Sequence, residues 1–176
     1  MAGVILLPID GSDHSMKAAG IAADLALVHD ASITVVNVIE PRHFDTEYQR
    51  MAEVEHVVPP GETALPWLAN VPDDLEALLQ SRSQYEERSR ILGFLSERVV
   101  QAATDVLTER GLDSDRIRFV VKNGHPAERI VETAREVAAA IIVIGSRGMS
   151  DVRGLVFGSV SHRVAHEAHC TVITVT

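Results

Sequence analysis

The sequence AIIVIGSRGMSDVRGLVFGSVSHRVAHEAHCTVITVT, from Ala140 to Thr176, decides the fold. Its apolar run at 141–144 is typical of a strand that is buried on both faces. The β-branched run at 171–175 predicts a second strand, and the residues from 159 onwards predict a helix between the two. Strands that alternate with helices in this way indicate a parallel sheet with right-handed crossovers.

A glycine-rich loop joins the first of these strands to the predicted helix. Gly145, Gly148 and Gly158 follow the spacing G-x2-G-x9-G, and Ser159 stands at the head of the helix. Glycines let a backbone approach a ligand closely, and the N–H groups of such a loop and of a helix N-terminus can face an anion. The pattern favours a phosphate-binding loop; the alternative is that the same glycines serve only turns and close packing.

The rest of the chain predicts three more strands and three more helices. In chain order they are a strand at 4–9, a helix that Ser12 or Asp13 can cap, a strand at 32–39, a helix at about 87–110, a strand at 117–121 and a helix that begins near Pro126. Five strands separated by helices predict a doubly wound α/β fold, in which ligands bind at the carboxyl ends of the strands.

The glycine spacing, together with Asp10 directly after the first strand, resembles the nucleotide-binding motif of the universal stress protein family. The resemblance covers one domain, 1–176, except for a central stretch at about 41–83. It implies an α/β fold of the adenine nucleotide alpha hydrolase type, with a five-stranded parallel sheet in the order 3-2-1-4-5 and helices on both faces. The switch point then lies between strands one and four, so that Asp10 and the glycine loop face one crevice.

The resemblance also implies a site for ATP, with Mg²⁺ or Mn²⁺ bridging the phosphates. The family's contacts map onto the ends of the first and second strands, the glycine loop and the following helix. They are Pro8, Ile9, Asp10, Val38, Ile144, Gly145, Arg147, Gly148, Gly158, Ser159, Val160 and Ser161. Asp10 has an alternative role as a turn aspartate that binds local amides, and Arg147 has one as an exposed loop residue.

Charge and composition limit the partners. The formal net charge of -9 disfavours binding to nucleic acid or to an anionic membrane, and no apolar run approaches the ~20 residues that a membrane span needs. A nucleotide site therefore needs local positive groups, which Arg147, Arg153 and Arg163 are placed to supply. The single cysteine excludes an internal disulfide, and the N-terminus lacks the basic region of a signal peptide, so we expect a cytoplasmic protein.

The stretch at 41–83 interrupts the alternation of strands and helices. It holds five of the seven prolines, the only tryptophan, Trp67, and eight acidic residues against three arginines. We interpret it as an acidic, proline-rich insertion. It is either a solvated, partly disordered loop, or a lid or subunit contact anchored by Trp67 and Phe44.

The predicted function is ATP-dependent regulation of an interaction with an unknown protein partner during stress. We identify no catalytic residue, since the loop offers arginines and serines but no evident base, so at most slow ATP hydrolysis is expected. Two alternatives stay open. One is a non-enzymatic module that acts through the acidic insertion, with nucleotide incidental; the other is a slow ATP-hydrolysing enzyme.

Two further expectations concern the end of the sequence. The strand at 171–175 has no lysine or proline to guard an edge, which predicts a homodimer through this strand, as is common in the family the chain resembles. His162 and His166 stand one helical turn apart, but two ligands without a matching cysteine or carboxylate motif do not predict a metal site.

Overall fold

The computed structural model describes residues 3–40, 84–148 and 158–176, with side chains in the second range from residue 95 onwards. Strands and helices alternate through these ranges. They are β1 (Val4–Ile9), α1 (Asp13–His29), β2 (Ser32–Ile39), α2 (Gln84–Glu109), β3 (Ile117–Asn123), α3 (Pro126–Glu136), β4 (Ala139–Gly145), α4 (Ser159–Glu167) and β5 (Thr171–Val175). The predicted insertion at 41–83 lies outside the described residues.

The five strands form one parallel sheet in the order β3-β2-β1-β4-β5. The predicted fold class and strand order are therefore confirmed. Strand β1 is central, since Ile5 pairs with Ile33 of β2 on one side and with Ile141 of β4 on the other. β3 is two residues longer than predicted, because Lys122 and Asn123 continue the ladder to the end of β2 although their side chains are polar.

Each face of the sheet is covered by two helices, and each face has its own apolar core. Helices α1 and α2 pack over one face and α3 and α4 over the other. The first core is built mainly from Ile5, Leu7, Ile33, Val35, Val143, Leu107 and the alanines of α1; the second is built mainly from Leu6, Val36, Ile142, Ile144, Ile130, Val131 and Val164. Within the described ranges, no helix combines the length and apolarity that a membrane crossing requires.

Helix α1 packs against the sheet through a face of alanine side chains. Ala18, Ala19, Ala22, Ala23 and Ala26 are all fully buried. At the start of α1, the backbone of the helix lies directly against the end of β4. A Cβ atom built on Gly145 at the end of β4 would lie 2.8 Å from the carbonyl carbon of His14 and 2.9 Å from the amide nitrogen of Ser15. Only glycine fits there, because the colliding atoms belong to backbone.

We expect Gly145→Ala to lower the free energy of unfolding by about 1–3 kcal/mol, since the added methyl group must displace the first turn of α1 or the end of β4. Gly3→Ala is the matched control, because a Cβ atom there would meet Ala140 at an ordinary 3.6 Å. Urea unfolding of both variants tests this. Equal effects of the two substitutions would contradict the packing explanation.

Candidate functional site

The turn after β1 is organised around the Asp10 carboxylate. Oδ1 of Asp10 accepts hydrogen bonds from the amide of Ser12 at 3.0 Å and from its hydroxyl at 2.7 Å. The same Ser12 hydroxyl oxygen accepts from the amide of Ser15 at 3.3 Å and so caps α1. Asp10 thus has the turn role that was one of its two interpretations, and its role toward a ligand stays a prediction.

The glycine loop lies directly against this turn. A Cβ atom on Gly148 would stand 2.6 Å from Oδ2 of Asp10, and the Arg147 carbonyl lies 3.5 Å from the Ser12 hydroxyl. The end of β1 and the loop after β4 therefore meet between neighbouring strands at the carboxyl edge of the sheet, where the strand order reverses. That is the switch point at which doubly wound folds bind ligands.

Ser146, which sequence reasoning missed, holds the two ends of the loop together. Its amide donates to the Val175 carbonyl of β5 at 2.6 Å. Its carbonyl accepts from the Gly158 amide and from the Ser161 hydroxyl, each at 2.7 Å. Ser146 is fully buried, and its own hydroxyl has no partner among the described residues. Its place between Gly145 and Gly148 was the only sequence signal for it.

Helix α4 begins beside the loop, and no side chain among the described residues caps it. Its N-cap residue, Gly158, has an extended backbone with φ at -76°, so the position does not require glycine for its conformation. Ser159 is exposed, Val160 is half-buried, and the buried Ser161 hydroxyl is bound to loop and cap carbonyls. An uncapped first turn leaves N–H groups and the positive end of the helix dipole to attract an anion.

The other predicted site residues lie at the ends of strands. Pro8, Ile9 and Ile144 have buried side chains, and Val38 at the end of β2 is half-buried. Buried apolar side chains at these positions belong to the core. Any contact that they make with a ligand must therefore come from their backbone atoms.

The arginines differ in what holds them. Arg147 is half-buried within the loop. Arg163, by contrast, pairs with Glu167 at 2.8 Å and with Glu128 at 3.1 Å, and the hydrogen bond that it donates to Glu167 is the main cause that raises the pKa of its guanidinium. The expectation that Arg163 serves the loop is therefore not supported, while Arg153 lies outside the described residues.

His162, His166 and Cys170 lie on α4 or between α4 and β5. His162 and His166 are exposed on α4, and in the ranges the structure describes no three His, Cys, Asp or Glu side chains gather as a metal site would require. Burial raises the pKa of the Cys170 thiol. A raised pKa disfavours the thiolate, which is the nucleophilic form of cysteine.

Known proteins share this architecture. The chain is 31% identical over 173 residues to stress response protein NhaX of Bacillus subtilis, covering 97% of this chain and 96% of the relative. Universal stress protein UspA from Lactobacillus plantarum superposes with a TM-score of 0.67 at 20% identity, covering 100% of this chain and 99% of that one.

Two further solved structures of this fold hold adenine nucleotides. A universal stress protein in complex with cAMP has a TM-score of 0.62 at 22% identity, covering 99% of this chain and 97% of its own. The universal stress protein from Archaeoglobus fulgidus in complex with dAMP has a TM-score of 0.57 at 18% identity, covering 100% of this chain and 98% of its own. The model of the universal stress protein family matches residues 1–176, and the chain belongs to that family.

Proposed function

We propose that this chain is an adenine-nucleotide-binding regulatory protein of the cytoplasm, whose ligand lies between the Asp10 turn and the N-terminus of α4. The observation that carries the proposal is the contact of Gly148 with the Asp10 carboxylate. This contact places the Asp10 carboxylate, which can accept hydrogen bonds from a ligand, beside the glycine loop, whose backbone N–H groups can donate them. The cAMP and dAMP complexes of proteins with this fold support an adenine nucleotide as the ligand class.

The nucleoside end of the ligand is assigned to the ends of β1 and β2. The Asp10 carboxylate suits ribose hydroxyl groups, which donate hydrogen bonds to it. The backbone of Val38 suits the edge of the adenine ring, because the half-buried end of β2 lies beside the end of β1.

The phosphate end is assigned to the glycine loop and to α4. Gly148 and the uncapped first turn of α4 present backbone donors, and Arg147 adds a charge within the loop. Backbone donors matter here because a net charge of -9 otherwise repels a polyanion. The same reasoning favours ATP with Mg²⁺ or Mn²⁺, since a cation bridging the phosphates would offset part of their charge.

Hydrolysis, if it occurs, is expected to be slow. Phosphoryl transfer needs cations positioned around the transferred group. Of the two arginines near the loop that the structure describes, Arg163 is bound to two carboxylates, which leaves Arg147. Binding rather than turnover is therefore the proposed use of the nucleotide.

We expect Gly148→Ala to weaken the binding of ATP and AMP by at least about tenfold, equivalent to about 1.4 kcal/mol. The methyl group would occupy the place of Oδ2 of Asp10, so that either the carboxylate, whose Oδ1 accepts two hydrogen bonds from Ser12, or the loop must move. Isothermal titration calorimetry at fixed magnesium measures the affinity. Gly3→Ala, before β1 at the amino edge of the sheet, should bind like the unmodified chain. An unchanged affinity in Gly148→Ala would exclude a ligand in this crevice.

We also propose that the chain pairs with a second copy through β5. Among the described residues, β5 pairs with β4 on one side and lies at the sheet edge on the other. The Val175 carbonyl points toward β4, because it accepts from the Ser146 amide. Backbone groups alternate along a strand, so the N–H and C=O of Thr174 point outward, where a second β5 can bind them.

The alternation gives a selective test of the pairing. Thr174→Pro removes an outward N–H without removing a bond to β4, a change that edge strands tolerate. We expect sedimentation equilibrium to give a mass near twice 19.1 kDa for the unmodified chain and near 19.1 kDa for Thr174→Pro. Thr174→Val, which keeps the N–H, should remain paired. A monomeric unmodified chain, or a dimeric proline variant, would refute pairing through β5.

A further inference from the structure

A buried polar pair lies beneath the nucleoside end of the crevice. Asn37 of β2 and Ser96 of α2 are 5% and 4% exposed. The Asn37 side-chain nitrogen donates to the Ile9 carbonyl at 2.8 Å, and the Ser96 hydroxyl donates to the Asn37 side-chain oxygen at 2.6 Å. Two hydrogen bonds therefore connect the last residue of β1, the end of β2 and helix α2.

The location of the pair is unusual for this face of the sheet. Neighbouring inward positions such as Leu7, Ile33 and Val35 are apolar and fully buried. A buried amide and hydroxyl cost free energy unless they are hydrogen-bonded, and apolar side chains of similar shape would avoid that cost. This polar pair stands instead at the register position where β1 leaves the sheet, since Ile9 is the last residue of β1 paired with β2.

The atom that the pair holds is close to the proposed site. The Ile9 carbonyl and the Asp10 nitrogen belong to the same planar peptide group. A hydrogen bond that fixes this carbonyl therefore fixes the orientation of the peptide plane that leads into Asp10. Asn37 also directly precedes Val38. One side chain therefore orients the backbone on both sides of the proposed nucleoside position, and Ser96 fixes the orientation of that side chain.

We infer that Asn37 and Ser96 are positioning residues for the nucleoside end of the site. The inference rests on the proposed function. The pair holds Asp10 and Val38 in the geometry that ribose and adenine require before the ligand arrives, and such preorganisation raises affinity. Its effect should be the same for every adenine nucleotide, since its two hydrogen bonds run to the Ile9 carbonyl and between the two side chains, at the nucleoside end.

The test compares the affinities of ATP and AMP in four variants. Ser96→Ala should weaken ATP and AMP by the same factor, about three- to tenfold, as expected for the loss of one hydrogen bond. Asn37→Leu, which removes both hydrogen bonds of the pair, should also weaken the two nucleotides equally, and by more than Ser96→Ala. Ser96→Thr keeps the hydroxyl and should restore most of the affinity. Thr133→Val is the matched control, because it removes an equally buried hydroxyl that donates to the Arg129 carbonyl at 2.7 Å, away from the crevice.

Calorimetric titration and urea unfolding of the same samples separate positioning from stability. We expect Ser96→Ala and Thr133→Val to lower the unfolding midpoint to a similar extent, while only Ser96→Ala weakens binding. Unchanged binding in Ser96→Ala, or an equal loss in Thr133→Val, would overturn this inference and leave the proposed function standing. No binding by the unmodified chain would overturn the proposed function and this inference with it.

Discussion

The close approach of β4 to the first turn of α1 is the constraint on which the rest of the crevice depends. Gly145 permits the approach because any side chain there would collide with the backbone of His14 and Ser15. The residues that follow Gly145 are thereby carried to the Asp10 turn, so that Gly148 contacts its carboxylate. Gly145 belongs to the predicted phosphate-binding motif, but the packing of β4 against α1 by itself requires glycine at this position.

The two helices that begin at the crevice, α1 and α4, differ in how their first backbone N–H groups are hydrogen-bonded. Ser12 caps α1 and is also hydrogen-bonded to Asp10, so a residue next to α1 in the sequence accepts a hydrogen bond from its first turn. Gly158 gives α4 no such cap, although Ser146 fixes the position of its N-terminus. The two helices at the switch point therefore differ: in the described part of the chain a side chain caps α1 and none caps α4.

The fold could be predicted from the sequence to the extent that it rests on local pattern. Apolar runs such as 141–144 marked the strands, but their order came from the family resemblance, since periodicity carries no information on which strands are neighbours. The strand order that the resemblance implies also placed Asp10 and Gly148 in one crevice. The hydrogen bond between Asn37 and Ser96 could not be predicted, because it joins residues 59 positions apart that no local sequence pattern connects. The role expected of Arg163 at the loop is not supported, because carboxylates on α3 and α4 bind its guanidinium, and the spacing along the sequence does not reveal the contact with α3.

Nucleotide binding is tested most directly by denaturing the purified protein, identifying any released nucleotide by mass spectrometry, and titrating the stripped and refolded protein with ATP and magnesium. We predict release of an adenine nucleotide, or saturable binding of ATP at one site per chain. The absence of both release and binding would contradict this prediction, and the glycine loop would then be explained by packing alone.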